Sequence, residues 1–343
     1  MDKKKTFYLI ALIIILVLLW QGIWWLNFLI GLLALLYFFS LKLIRLIKYT
    51  FLKKTIKSFF LFIFIFVIAI TIKLSIVDIY KIPSASMNNT LLTDDVIVVN
   101  KLKYGPKLPR SPFEIPWLNI AFYFNDKAKQ RIKENWWDYK RLSGTATIKN
   151  GDIVVFTMFK KNMVIVKRCM AIAGDTISLK QGNVYINNTF FNPSDQILNK
   201  YELKVTDKKD FYRKLDSLGL DIVFNRTNAH HFKATLSNQD KHILEKLDAV
   251  EKFIKITDTL TSISTAYPKS KYNGWSFDNY GPYVVPKKGM EIVLNPKNYE
   301  LYGKTISAHE GIEIKDLEGS YFINGKEISS YTFRQDYYFM MGD

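Results

Sequence analysis

Two serines, Ser84 and Ser86, stand one residue apart in the stretch Lys81-Ile82-Pro83-Ser84-Ala85-Ser86-Met87. A serine hydroxyl is a weak nucleophile and attacks a carbonyl only when a neighbouring base takes its proton. The same residues also suit a plain turn or helix cap, because serine and proline favour both. Lys167, 81 positions after Ser86, is a candidate base. It lies in the β-branched run Met163 to Ala173, where strand alternation puts it on one face with Met163, Ile165 and Cys169, and Val164, Val166 and Arg168 on the other. Burial on an apolar face disfavours the ammonium form and leaves a neutral amine able to accept a proton. The competing reading is an edge-strand lysine that reaches into solvent.

Other chemistries find less support. Four histidines (His230, His231, His242, His309) supply no pair at metal-ligand spacing beyond the adjacent His230-His231, so neither a structural zinc, another metal nor a cofactor is expected. One cysteine, Cys169, rules out an intrachain disulfide and reads as a small buried hydrophobe. Arg168 reads as the structural partner of a carboxylate. The net charge of +17 is unevenly placed: residues 1 to 57 hold nine Lys and Arg against the single acid Asp2, so +8 of it flanks apolar segments. Charge there speaks of topology and lipid contact, and no nucleic-acid partner is expected.

Those reactive residues follow a membrane anchor. Phe7 to Phe39 carries no charged residue over 33 positions, whereas roughly 20 suffice to cross a bilayer. Gln21-Gly22 near its middle offers a break for a hairpin of short helices. Ser58 to Val77 reads as a single span interrupted only by Lys73, which can snorkel. Between them a basic amphipathic linker, Leu41 to Lys57, belongs on the cytoplasmic side. Lys3 to Lys5 also prefer that side, which favours three crossings over two; a cleaved leader is disfavoured because no A-x-A site follows residues 1 to 20. The Trp24-Trp25 pair is expected in the interfacial aromatic belt. Everything after Tyr80 then lies outside the cytoplasm, with Ser86 nine residues beyond Val77 and close to the outer interface.

The rest reads as mainly β: strands at Val96 to Asn100, Ile153 to Phe156 and Met163 to Ala173, then a hairpin of Thr176 to Leu179 with Asn183 to Ile186. Strands resume at Glu291 to Leu294 and Tyr321 to Ile323. Residues 199 to 257 change rhythm. Strand Tyr201 to Val205, helix Asp207 to Leu218 stopped by Gly219, strands Leu220 to Phe224 and His231 to Leu236, helix Ser237 to Leu247 and strand Val250 to Ile256 give β-α-β-β-α-β, the ferredoxin-like order. The expected fold is therefore N-terminal transmembrane helices (1–80), an antiparallel β domain (81–198 and 258–343) and an inserted α+β subdomain (199–257).

Taken together, these motifs resemble the type I signal peptidases, a family of Ser-Lys serine proteases. Ile82-Pro83-Ser84-Ala85-Ser86-Met87-Asn88-Asn89-Thr90-Leu91 is similar to the family's nucleophile motif. Gly151-Asp152-Ile153-Val154-Val155-Phe156 and Val166-Lys167-Arg168 with Gly174-Asp175 look like its next two blocks, and Tyr338 to Asp343 like the start of the last. The likeness covers residues 58 to 190 and 275 to 343. Tyr104-Gly105-Pro106 and Trp137 to Leu142 resemble members from the Bacteroidetes group. Asn89, Ala171 and Ala173 stand where the family has Pro, Gly and Pro. The last block ordinarily continues with Asn-Arg and on to a serine and an aspartate, so the sequence is expected to stop inside the protein.

The resemblance implies that Ser86 is the nucleophile, Lys167 its base, and the Ser86 N–H with the Ser84 hydroxyl the oxyanion donors. Ile82, Pro83, Met87, Leu91 and Val166 match positions that bind substrate. It further implies cleavage of signal peptides from exported preproteins at the outer face of a bacterial inner membrane, with the bilayer as the other partner. Two alternatives remain at the level of the sequence: a tethered β domain that binds partners without catalysis, and a Ser-Lys membrane protease of narrower substrate range.

Overall fold

Apolar runs of this length, with charge only at their ends, fold as helices because a helix satisfies every backbone polar group within itself. The computed structural model describes residues 3–88, 90–127, 130, 137–158, 163–195, 197–220, 222–258, 267–268 and 273–343. Asn89, one of the departures noted above, lies outside the described residues. The chain divides into two compact units: Met1–Lys81 with Val96–Thr147, and Ile82–Asp95 with Ile148–Asp343. Residues 96 to 147 thus fall with the helices rather than with the β domain.

In the first unit, α1 (Lys3–Trp20) and α2 (Trp24–Arg45) are separated by a tight turn at Gly22, whose φ of 75° suits glycine. α3 (Thr50–Ser75) follows, and α2 and α3 are each long and apolar enough to cross a membrane. The basic stretch 41–57 is not a separate linker. Lys42 and Arg45 close α2 and Lys53, Lys54 and Lys57 open α3, leaving only 46–49 between the helices. Basic side chains at helix ends can snorkel outward, so the helical backbone runs through them at little cost. Trp24 is exposed, as a belt residue would be, whereas Trp25 is buried with Ile23 and Leu26.

Beyond α3, β1 (Val77–Lys81) and β2 (Val96–Asn100) pair antiparallel, Val77 opposite Asn100 and Lys81 opposite Val96. That pairing brings Lys81 and Val96 together at the two ends of the loop that carries Ser84 and Ser86. Residues 102–108 and 140–146 then run back to back: Leu108 N–H donates to Lys140 O, Leu142 N–H to Pro106 O and Thr145 N–H to Leu102 O. At this crossing a side chain on Gly105 would place its Cβ 1.9 Å from the Leu142 carbonyl oxygen. The arm between these legs contains a short helix, α4 (Leu118–Tyr123).

The second unit is built from small antiparallel sheets. β3 (Ile153–Met158) and β4 (Met163–Ala171) pair along their lengths, and the terminal strand β14 (Phe339–Met341) lies on the other edge of β4. β5 (Thr176–Lys180), β6 (Asn183–Ile186) and β7 (Thr189–Phe190) form a meander joined by β12 (Tyr280–Val284). Their core holds Ile177, Tyr280, Tyr283, Val285, Ile306 and Phe333.

The segment 198–258 has the ferredoxin-like arrangement expected of it. β8 (Leu198–Val205), α5 (Lys208–Leu218), β9 (Phe224–Arg226), β10 (His231–Ser237), α6 (Asn238–Leu244) and β11 (Val250–Lys255) give sheet order β11-β8-β10-β9. Asp207 caps α5 and Gly219 ends it at φ 63°. β9 starts at Phe224 rather than Leu220, where pairing with Ala234 of β10 begins. α6 stops at Leu244 rather than Leu247, because Lys246 N–H and Leu247 N–H turn to Ile243 O and Leu244 O in tighter bonds.

Beyond β12, β13 (Glu291–Val293) precedes α7 (Pro296–Glu310), a helix that the sequence reading did not contain. Thr305 and Ile306 are weak helix formers, and both are buried in α7 together with Leu301 and Tyr302.

Candidate active site

The loop that carries the serines closes on itself before any other element touches it. Ile82 N–H donates to Asp95 O at 2.9 Å and Asp94 N–H to Ile82 O at 2.9 Å, pinning its two ends. Leu92 N–H reaches the Asp95 carboxylate at 2.7 Å. Ile82 (3% exposed) and Met87 (2%) anchor the loop from below. Leu91 N–H and Thr90 N–H both bond Met87 O, at 2.8 and 3.2 Å, tightening the turn that follows Ser86. With its neighbours fixed, Ser86 stays exposed at the bend.

Lys167 comes to it from the middle of β4. Its register partner is Val154 of β3, so the amine projects from a strand held on both edges. Nζ of Lys167 lies 2.5 Å from Oγ of Ser86. Burial pushes this amine below the ordinary lysine range, while the Asp343 carboxylate pulls the other way. Ser84 Oγ sits 3.4 Å from Ser86 Oγ, which brings the three polar side chains into one cluster.

Arg168, the next residue on β4, faces away from the amine and is 5% exposed. Its Nε donates to Asp343 Oδ1 at 2.7 Å, a second guanidinium nitrogen bonds the same carboxylate's Oδ2, and Nη1 donates to Gly151 O at 2.9 Å. Thr90 Oγ1 completes the arrangement by donating to Asp343 Oδ2 at 2.5 Å. A bidentate pair of this kind fixes geometry as well as neutralising buried charge. Here it ties three separate segments together: the serine loop through Thr90, β4 through Arg168, and the end of β14 through Asp343.

Gly342 presses directly on Ser86. A side chain there would put its Cβ 2.3 Å from the Ser86 carbonyl oxygen and 3.8 Å from Lys167 Nζ. Beside it lies an apolar cleft of about 480 Å³, with Leu179, Tyr280, Tyr283, Met341 and Gly342 in its wall. Cys169 is wholly buried and its thiol is pushed up to about 11 by burial and by Asp152 and Asp175, which keeps it protonated and unreactive.

Among the residues proposed from sequence, Ser84, Ser86 and Lys167 are thus brought together. Pro83 is exposed, Leu91 and Val166 are half-buried, and Ile82 and Met87 are buried. Thr90, Gly342 and Asp343 were quoted within motifs but given no role. The one signal for them was the Gly342-Asp343 pair in the block resembling the family's last.

Comparison with known proteins bears on this arrangement. Residues 52–218 match the family described as signal peptidase, peptidase S26. The chain is 27% identical over 176 residues to signal peptidase I of Helicobacter pylori (strain J99), covering 50% of this chain and 53% of that protein. It is also 27% identical over 206 residues to signal peptidase I of Buchnera aphidicola subsp. Schizaphis graminum, covering 58% and 54%. The chain spans about half the length of the curated relatives it matches.

Proposed function

We propose, from the premise that this chain belongs to the peptidase S26 signal peptidases, that it is a membrane-bound serine endopeptidase cleaving signal peptides from exported preproteins. The observation that carries this reading is the 2.5 Å approach of Lys167 Nζ to Ser86 Oγ at an exposed bend. A primary amine whose pKa is lowered by burial gives up its proton more readily than an exposed lysine, and in its neutral form can take the hydroxyl proton. Ser86 Oγ then attacks the scissile carbonyl, and the C–N bond breaks as the lysine ammonium returns the proton to the leaving amine. Water, deprotonated by the same amine, hydrolyses the resulting ester and frees Ser86. This follows the serine-base logic of the catalytic triads with lysine in the histidine role.

The developing oxyanion needs donors that are already oriented. The Ser86 amide N–H carries no hydrogen bond among the described residues, and the Ser84 hydroxyl stands beside it. Each such donor is worth about 3 kcal/mol in the transition state. In this reading Ile82, Pro83, Met87, Leu91 and Val166 shape the ground on which small side chains before the cut are selected. Buried Ile82 and Met87 act there by setting the floor beneath Ser86.

The substrates reach the enzyme at a membrane. In this reading Lys48 and the basic residues at the facing ends of α2 and α3 lie on the cytoplasmic side, which puts the end of α3 and the Ser86 loop that follows on the outer side of a bacterial inner membrane. The test is cleavage of a preprotein by the full chain in detergent or proteoliposomes. Ser86→Ala and Lys167→Ala should each lower kcat/KM by about 10³-fold or more while leaving the circular dichroism spectrum unchanged. Cleavage at the unaltered rate in either variant would refute the mechanism.

A further inference from the structure

The arm of residues 101–147 meets the membrane helices at three places. At its root, Lys101 N–H donates to Ile76 O at 2.9 Å and Lys101 Nζ to Lys73 O at 2.7 Å, so the arm departs from the C-terminal end of α3. One step further, Leu102 and Leu142 pack on Ile23, Trp25 and Leu26, the turn between α1 and α2. Ser143 clasps that turn from both directions: Trp25 Nε1 donates to Ser143 O at 2.9 Å and Ser143 Oγ to Gly22 O at 2.6 Å. The α1–α2 turn and the C-terminal end of α3 therefore lie at the same end of the helices. Lys3 to Lys5 and the 46–49 turn lie at the other, so α1, α2 and α3 run up, down and up.

The third contact is deeper. Trp117 packs against Phe66 of α3 with ring centroids 5.5 Å apart and the ring planes tilted by 44°. Phe66 lies nine residues before Ser75, roughly 14 Å along the helix from its end at 1.5 Å per residue. Around Trp117 the arm exposes Leu118 (43%), Ile120 (55%) and Phe124 (84%), with Trp137 (50%) following. So much apolar surface is costly in water, and its aromatic-rich composition is that of interfacial membrane segments.

We propose that residues 112–124, with α4 at their centre, are an interfacial membrane-insertion element seated in the lipid beside α3, on the side opposite the basic 46–49 turn. The partner is the bilayer itself. The argument is continuity: Trp117 lies against a residue of α3 that must face lipid if α3 spans, and the exposed Leu118 and Ile120 of α4 follow it directly in the chain. Arg110 N–H and Lys107 Nζ hold Glu114 at 2.8 and 3.0 Å, fixing the entry to the segment. This placement depends on α3 crossing the membrane and not on the Ser86 chemistry, so it can fail while the catalytic reading stands.

The test uses the full chain in proteoliposomes of phosphatidylcholine and phosphatidylglycerol. Ile120→Cys and, separately, Phe124→Cys are labelled with an NBD thiol probe, with Thr235→Cys, an exposed position of β10, as the aqueous reference. Cys169, being fully buried, stays unlabelled. The expected result is blue-shifted emission at both arm positions, quenched several-fold more by doxyl-labelled lipid than by iodide, with the reverse order at Thr235. Iodide quenching at the arm equal to that at Thr235 overturns the proposal. So does protection of both arm positions from both quenchers, which would place the arm against protein instead of lipid.

Discussion

Within the second compact unit, the ferredoxin-like segment and the sheet that carries Lys167 are assembled on opposite principles. In the first, every element is specified by residues a few positions away: Asp207 opens α5, Gly219 closes it, and Ser237 with Asp240 forms a capping box on α6. Its core, with Phe211, Leu203, Phe232 and Leu236 fully or almost fully buried, closes among residues of that same segment. In the second, the decisive contacts join Ser86 to Lys167 across 81 residues and Thr90 to Asp343 across 253. The locally specified region carries no reactive cluster among its described residues. The proposed chemistry sits where distant segments meet, because such a junction can hold an amine, a hydroxyl and a buried ion pair in a geometry no single element would adopt.

The largest expected consequence of that contrast is in pH dependence. In the proposed mechanism only the neutral amine of Lys167 takes the Ser86 proton, so below its pKa kcat/KM should fall about tenfold per pH unit. Burial lowers that pKa from the ordinary lysine value of ~10.4, so the acid limb should lie below that value. Stability follows the same sign. Between the folded pKa and the ordinary value the unfolded chain binds more protons, so stability rises with pH through that window and the contribution is lost below it. In Lys167→Met, urea titrations at several pH values should show this slope removed. An unchanged slope would mean that the amine is not desolvated in the fold.

Next in size is the buried ion pair. Arg168→Leu leaves the Asp343 carboxylate, whose side chain is 1% exposed, without its cation. Stranding a buried charge in this way costs about 3–5 kcal/mol, so the urea midpoint should fall sharply and cleavage with it. A loss below 1 kcal/mol would show that the pair does not hold the three segments together.

The same contrast explains what the sequence could reveal. The inserted order β-α-β-β-α-β was legible because caps, a left-handed glycine and strand alternation are local signals. Its errors, at β9 and the end of α6, were errors of boundary. The break at Gln21-Gly22 was legible for the same reason. Ser86 and Lys167 were ambiguous as residues, each having a turn or edge-strand reading, and became a pair only through resemblance. The burial of Arg168 against Asp343, the pressure of Gly342 on Ser86 and the helix α7 escaped, since each depends on what packs against it. The clasp of Ser143 on the α1–α2 turn escaped as well: neither residue type suggests a hydrogen bond across more than a hundred positions.

The smallest expected effect sharpens the comparison from the other side. Ser237 accepts from Asp240 N–H at 3.0 Å and donates to its carboxylate at 2.7 Å, so Ser237→Ala removes the cap that starts α6. The cost should be about 1 kcal/mol, seen by hydrogen exchange as faster opening of amides in 238–244. Because these bonds are confined to the insertion, kcat/KM and its acid limb should stay where they are. If the acid limb moved with this substitution, the insertion would be coupled to the amine of Lys167, and the separation between locally built scaffold and non-locally built chemistry would have to be abandoned for this chain.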